Sequence, residues 1–242
     1  MKKYVYKKRR QPFFKLIGII LRPFVKKPKR IINYNDKIED KSIIISTHCG
    51  KNGPYCLSQY LPFKHATWGA YEMLGKYRER RRYLRDVLYI KKLHKKKFPS
   101  SVKATFEAFF NIYIYKGMSV IPTYTDLRFK NTLQYSFECL DNDLPILIFP
   151  EDSSNGYLEY LDTLLPGFIH LSDKFYKKEK IDLPVYPMYY DYRGKTIIIG
   201  KPIYIQKLKQ DKKIDNDSLC ILFRDEINKL HMDYIKKETK KY

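Results

Sequence analysis

In Lys41-Ser42-Ile43-Ile44-Ile45-Ser46-Thr47-His48-Cys49-Gly50-Lys51-Asn52-Gly53-Pro54 a short β-branched run passes without a break into a Gly/Asn/Pro loop. A continuous apolar run of this length, bounded by polar residues, is the pattern of a strand buried on both faces. The pattern recurs at Ser119-Val120-Ile121-Pro122, at Ile146-Leu147-Ile148-Phe149, from 184 to 190 and from 196 to 200. Helical segments are expected between these runs, at 54 to 61, 69 to 76 and 76 to 97. Another begins at Ser101, an N-cap candidate, and carries Phe106, Phe109, Phe110 and Tyr113 at i, i+3, i+4 and i+7 until Gly117 ends it. That aromatic stripe reads as a core-facing surface. Leu133, Phe137 and Leu140 mark the next helix, 163 to 178 another, and 217 to 240 a closing one. Strands alternating with helices mean an α/β fold, with a mixed, largely parallel sheet flanked by helices. In such sheets ligands sit at the carboxyl ends of the strands. The loops beginning at His48, Pro122 and Pro150 are therefore the places to look for chemistry.

The chain has 242 residues, 44% of them hydrophobic, with 10 Gly and 13 Pro, which excludes collagen-like and disordered classes. The formal charge is +22, and two blocks hold +21 of it. Residues 1 to 30 contain 12 Lys/Arg and no acid, and residues 76 to 97 contain 11 against Glu79 and Asp86. In the first block the charges flank an apolar run, Phe13, Phe14, Ile17, Ile20 and Leu21 among it, too short to span a bilayer but suited to lying in its interface. The chain thus divides into a basic amphipathic membrane-association segment, 1–34, and an α/β domain, 35–242. An anionic membrane surface is the expected partner, with the protein peripheral at its cytoplasmic face. The second block reads either as more cationic binding surface or as a solvated helix face. Nucleic acid is the lesser candidate, because most of the 23 Tyr and 14 Phe fall in strands and on helix faces. The four cysteines show neither C-x-x-C pairing nor zinc-site spacing, so reduced thiols and no metal are expected.

His48, directly after a strand in a Gly-rich loop, is the candidate base, and Glu151 occupies the equivalent place after the run 146 to 149. His65, His94, His170 and His231 have no evident partner, and Ser153 and Ser154 read as turn formers. No P-loop, dinucleotide fingerprint or G-x-S-x-G elbow is present. The order of the motifs is more specific than any one of them. A strand ending in His48, then Val120-Ile121-Pro122-Thr123-Tyr124, Ile148-Phe149-Pro150-Glu151, Leu183-Pro184-Val185-Tyr186-Pro187 and Ile199-Gly200-Lys201-Pro202-Ile203 resembles the glycerolipid acyltransferase family, the lysophosphatidic acid acyltransferase-like enzymes. That family carries S-N-H-x-x-x-x-D, G-x-I-P-x-x-R, F-P-E-G-T and a Pro-Val-x-Pro strand in this order.

The resemblance implies transfer of a fatty acyl group from an acyl thioester donor to a hydroxyl of a lysophospholipid acceptor or glycerol phosphate. The thioester, coenzyme A or acyl-carrier protein, is a co-substrate, and no cofactor is bound. His48 would be the general base, with Thr125, Arg128, Phe149, Pro150, Glu151 and Ser153 binding substrate. Two departures stand out. The family's aspartate, five positions after the histidine, is Gly53 here, and its arginine falls on Thr125, with Arg128 three residues on. Either the chain is active, with Asp126, Asp152 or water orienting His48, or it is an impaired relative that binds lipid or acyl thioester without turning it over.

Overall fold

Strand β2 (Ile43–Ser46) has no exposed position. Its sequence does not alternate because both of its faces meet a core, Ile43 and Ile45 on one side and Ile44 on the other. In the computed structural model, which describes residues 16, 18–20, 25, 27–50, 52–153 and 156–239, β2 is central to a sheet of eight strands. The order is β1 (Arg30–Asn33), β7 (Thr196–Ile199), β6 (Pro184–Asp191), β2, β5 (Ile146–Ile148), β3 (Ala66–Ala70), β4 (Val120–Thr123), with the short β8 (Ile203–Tyr204) also on β6. The five strands from β6 to β4 are parallel, β7 and β8 run antiparallel to β6, and β1 is parallel to β7.

Helices cover both faces. On one, α4 (Phe129–Asp141), α5 (Gly167–Glu179) and α7 (Asn216–Thr239) bury Leu140, Phe168, Phe175 and Phe223 against Ile43, Ile45, Ile146 and Ile148. On the other, α1 (Gly53–Tyr60) places Cys56 and Leu57 beside Ile44, Tyr186 and Met188. The helix α6 (Ile205–Lys212) follows β8. A separate cluster of Met73, Leu84, Tyr89, Ala104 and Ala108 lies where α2 (Tyr77–Arg82), running on as a π-helix over Tyr83–Lys92, packs against α3 (Lys97–Gly117). No helix among the described residues is long and apolar enough to cross a membrane.

The register of β2 with β5 sets up the site. Ile45 lies opposite Ile148, so His48 and Glu151, each three residues further on, emerge side by side.

Four details differ from the sequence reading. Strand β1 pairs with β7, so the sheet begins within the stretch assigned to membrane association. Residues 66 to 70 form strand β3 where a helix over 69 to 76 is expected, and only Tyr71–Leu74 is helical, as a short 3-10 turn. Helix α3 starts at Lys97, four residues before the Ser101 cap. Most consequential, the aromatic stripe of α3 faces outward: Phe106, Phe109 and Phe110 are 66%, 60% and 54% exposed. Ser100, Ala104 and Ala108, at i, i+4 and i+8, are the buried face. Small side chains let α3 approach its neighbours closely, and either stripe satisfies the helical period.

Candidate active site

Beyond β2 the chain turns sharply. Cys49 (φ 49°) and Gly50 (φ 76°) are both left-handed, a strained conformation for the cysteine, whose thiol donates to the Tyr190 carbonyl. Burial raises that thiol to about 11, which keeps it protonated at neutral pH. The double left-handed turn brings the Gly50 carbonyl to 2.6 Å from Nδ1 of His48. A carbonyl can only accept, so Nδ1 carries the proton and Nε2 keeps its lone pair. Nε2 has no hydrogen-bond partner among the described residues. The ring stacks on Tyr157 with centroids 4.4 Å apart and is tilted against Phe149 at 5.1 Å. Burial and the nearby Lys92 ammonium lower the imidazole to about 4, against the upward pull of the Gly50 hydrogen bond, so it is neutral at physiological pH.

Gly53 opens α1, with Pro54 behind it. A Cβ there would lie 1.9 Å from the carbonyl oxygen of His48. No side chain fits, and an aspartate in this position would displace the loop that holds the imidazole. Neither Asp126 nor Asp152 takes its place as the orienting group. Asp126 is engaged by Arg128 through its side chain, and the partner of the His48 ring is the Gly50 carbonyl.

Glu151 is 8% exposed, and its Oε1 accepts the backbone N–H of His48 at 3.2 Å. Burial raises its carboxyl to about 7, opposed by that hydrogen bond and by Lys92. Lys92, the last residue of the π-helix, donates to Oγ of Ser153 at 2.6 Å and lies 5.7 Å from the Tyr157 ring centroid. The loop 150 to 153 is pinned in turn, with Leu165 N–H donating to the Pro150 carbonyl at 2.7 Å and Asp152 N–H to the Thr163 carbonyl at 3.0 Å.

These groups line a cavity of about 1150 Å³ whose walls are mostly apolar, with Trp68, Leu84, Leu88, Ile114, Met118 and Val120 among them. It exceeds the range of roughly 300–1,000 Å³ common for small-molecule sites and suits a long flexible ligand. His48, Thr125, Phe149, Glu151 and Ser153 all face it, Thr125 from an exposed position, and so does Ile20. Pro150 is buried outside the lining. Arg128 is not brought in. It is exposed, ion-paired with Asp126 at 2.7 Å and held between the rings of Tyr71 and Tyr124, 4.6 Å from each centroid. Phe13, Phe14, Ile17 and Leu21 lie outside the described residues. Sequence reading missed Lys92 and Tyr157. Lys92 sits in a basic run that looks uniformly solvated, and Tyr157 follows Gly156 (φ 102°) in a loop without periodicity.

Among the described residues no three His, Cys, Asp or Glu side chains come together as a metal site. No protein-family model and no curated protein sequence matches the chain.

Proposed function

We propose that the chain is a glycerolipid acyltransferase-like protein that transfers a fatty acyl group from an acyl thioester, on coenzyme A or an acyl-carrier protein, to a hydroxyl of a lysophospholipid or glycerol phosphate. The observation that carries this reading is the unprotonated Nε2 of His48, fixed by the Gly50 carbonyl in the wall of a large apolar cavity that also holds Lys92 and Glu151. In the step proposed, Nε2 takes the proton of the acceptor hydroxyl as its oxygen attacks the thioester carbonyl. The C–S bond then breaks, and the thiolate leaves with the proton returned by the imidazolium. Lys92 supplies positive charge for the acceptor's phosphate, and Glu151 holds the His48 backbone in register. We infer that the protein is peripheral at the cytoplasmic face of a membrane, where a lysophospholipid acceptor would be held.

One observation favours the alternative of a binding relative with little or no turnover. Burial makes the imidazole a weak base, and among the described residues its ring is hydrogen-bonded to a neutral carbonyl and not to a carboxylate that would stabilise the imidazolium. The discriminating experiment is acyl transfer from a labelled thioester to lysophosphatidic acid in anionic vesicles. Turnover that disappears in His48→Ala supports the enzyme. An inert wild type that still retains acyl thioester on a filter supports the binder.

A further inference from the structure

We propose that the outward face of α3 is a membrane-docking surface that seats the cavity mouth on an anionic bilayer. Phe98, Val102, Phe106, Phe109, Phe110 and Tyr113 lie within about a third of the helix circumference and run along about 22 Å of it. Their exposures range from 44% to 80%. Together they present roughly 500 Å² of apolar surface, as much as the largest patch on a typical monomer, and such patches mark interaction sites.

Charge selects the occupant. Exposed Lys96, Lys97, Lys103 and Lys116 lie along the same helix as the stripe, and α2, which carries exposed Arg78 and Arg82, is tied to α3 by Arg81, which donates to Thr105 Oγ1 at 2.8 Å and Ser101 Oγ at 3.0 Å. The acids of these two helices are engaged locally: Glu79 accepts the Lys76 N–H at 2.8 Å and Glu107 accepts the Tyr89 hydroxyl. An apolar stripe bordered by one sign of charge fits an interface where acyl chains lie beneath anionic headgroups. The cavity supplies an independent observation. Leu16, Ile20, Phe106, Phe110 and Leu165 line it and are each 51% to 66% exposed, so its rim is apolar on three separate segments. A mouth built this way opens toward hydrocarbon. That an acceptor enters through it rests on the acyltransferase reading; the docking itself does not.

The test is partitioning of the full chain onto phosphatidylcholine vesicles with and without phosphatidylglycerol, at physiological ionic strength. It compares the wild type with a Phe98→Ser/Val102→Ser/Phe109→Ser variant, whose three positions are exposed and outside the cavity. The wild type should bind the anionic vesicles and the variant about tenfold more weakly, with an unchanged circular dichroism spectrum. A second variant, Arg78→Glu/Lys97→Glu/Lys116→Glu, should weaken the preference for anionic over neutral vesicles, with the basic block of residues 1 to 30 left intact. Wild type that ignores anionic vesicles, or a serine variant that binds within about twofold of it, overturns the proposal. So does a serine variant that turns a dimer into a monomer with vesicle binding intact, since the face then joins two copies. Acyl transfer to a short-chain, water-soluble acceptor should survive the serine changes, which separates loss of docking from failure of the enzymatic reading.

Discussion

Two loops at the same end of the sheet, the one after β2 and the one after β4, hold their polar side chains in opposite ways. The loop after β2 curls through two left-handed residues so that its own Gly50 carbonyl holds the His48 ring against the cavity. The loop after β4 turns its only cation outward, where Asp126 and two tyrosine rings engage an exposed Arg128. A motif match locates a residue on the chain; its hydrogen-bond and stacking partners decide whether it reaches the ligand. A cation at the cavity wall comes instead from Lys92, at the end of the π-helix, which donates to Ser153 Oγ.

The contrast breaks most decisively at His48. His48→Ala should lower acyl transfer by about 10³-fold, measured with labelled thioester, because the proposed general base is removed while the cavity remains. Equal activity in that variant would mean that the β2 loop is no more catalytic than the β4 loop. Gly53→Asp comes next. Instead of restoring a family dyad it should cost about 3 kcal/mol or more in urea unfolding and abolish transfer, because the new Cβ meets the His48 carbonyl.

The third test sharpens the pairing of His48 with Glu151. The folded state lowers His48 from 6.5 to about 4, so between those values the unfolded chain binds more protons and this group makes stability rise with pH. Glu151 is raised from 4.5 to about 7, so over that window the folded chain binds more protons and stability falls as pH rises. The two trends oppose one another in the wild type. Denaturation across pH 4 to 8 should show the falling trend in His48→Ala and the rising one in Glu151→Gln, each worth about 3 kcal/mol. Slopes of the same sign would refute the assignment. The smallest effect belongs to the other loop: Arg128→Ala should leave transfer within about twofold of the wild type, and a large loss would return Arg128 to the site.

Much of the sheet was legible because its central strands are doubly buried: Ile43 to Ile45 and Ile146 to Ile148 have no polar face to confuse the pattern. Strand β3 was not, since Ala66-Thr67-Trp68-Gly69-Ala70 is short and contains two alanines and a glycine. Helices α3 and α5 show the same limit from the other side. Both carry large apolar residues at helical spacing, yet Phe168 and Phe175 of α5 are fully buried while the phenylalanines of α3 face out. Periodicity gives the stripe but not its direction, which depends on how closely neighbouring elements approach. His48 and Glu151 were readable from position alone, as adjacent strand ends. The Gly50 hydrogen bond was not, because it depends on two left-handed residues, one of them a cysteine.

The chain's single tryptophan, Trp68, forms part of the cavity wall, donates its indole N–H to Ser136 Oγ at 2.9 Å and meets Phe129 edge to face at 5.8 Å. Its emission is therefore a built-in optical reporter of occupancy. On the proposed acyltransferase reading a fatty chain in the cavity would lie beside the indole, so titration with a nonhydrolysable acyl thioester should shift the spectrum to shorter wavelength without any added label.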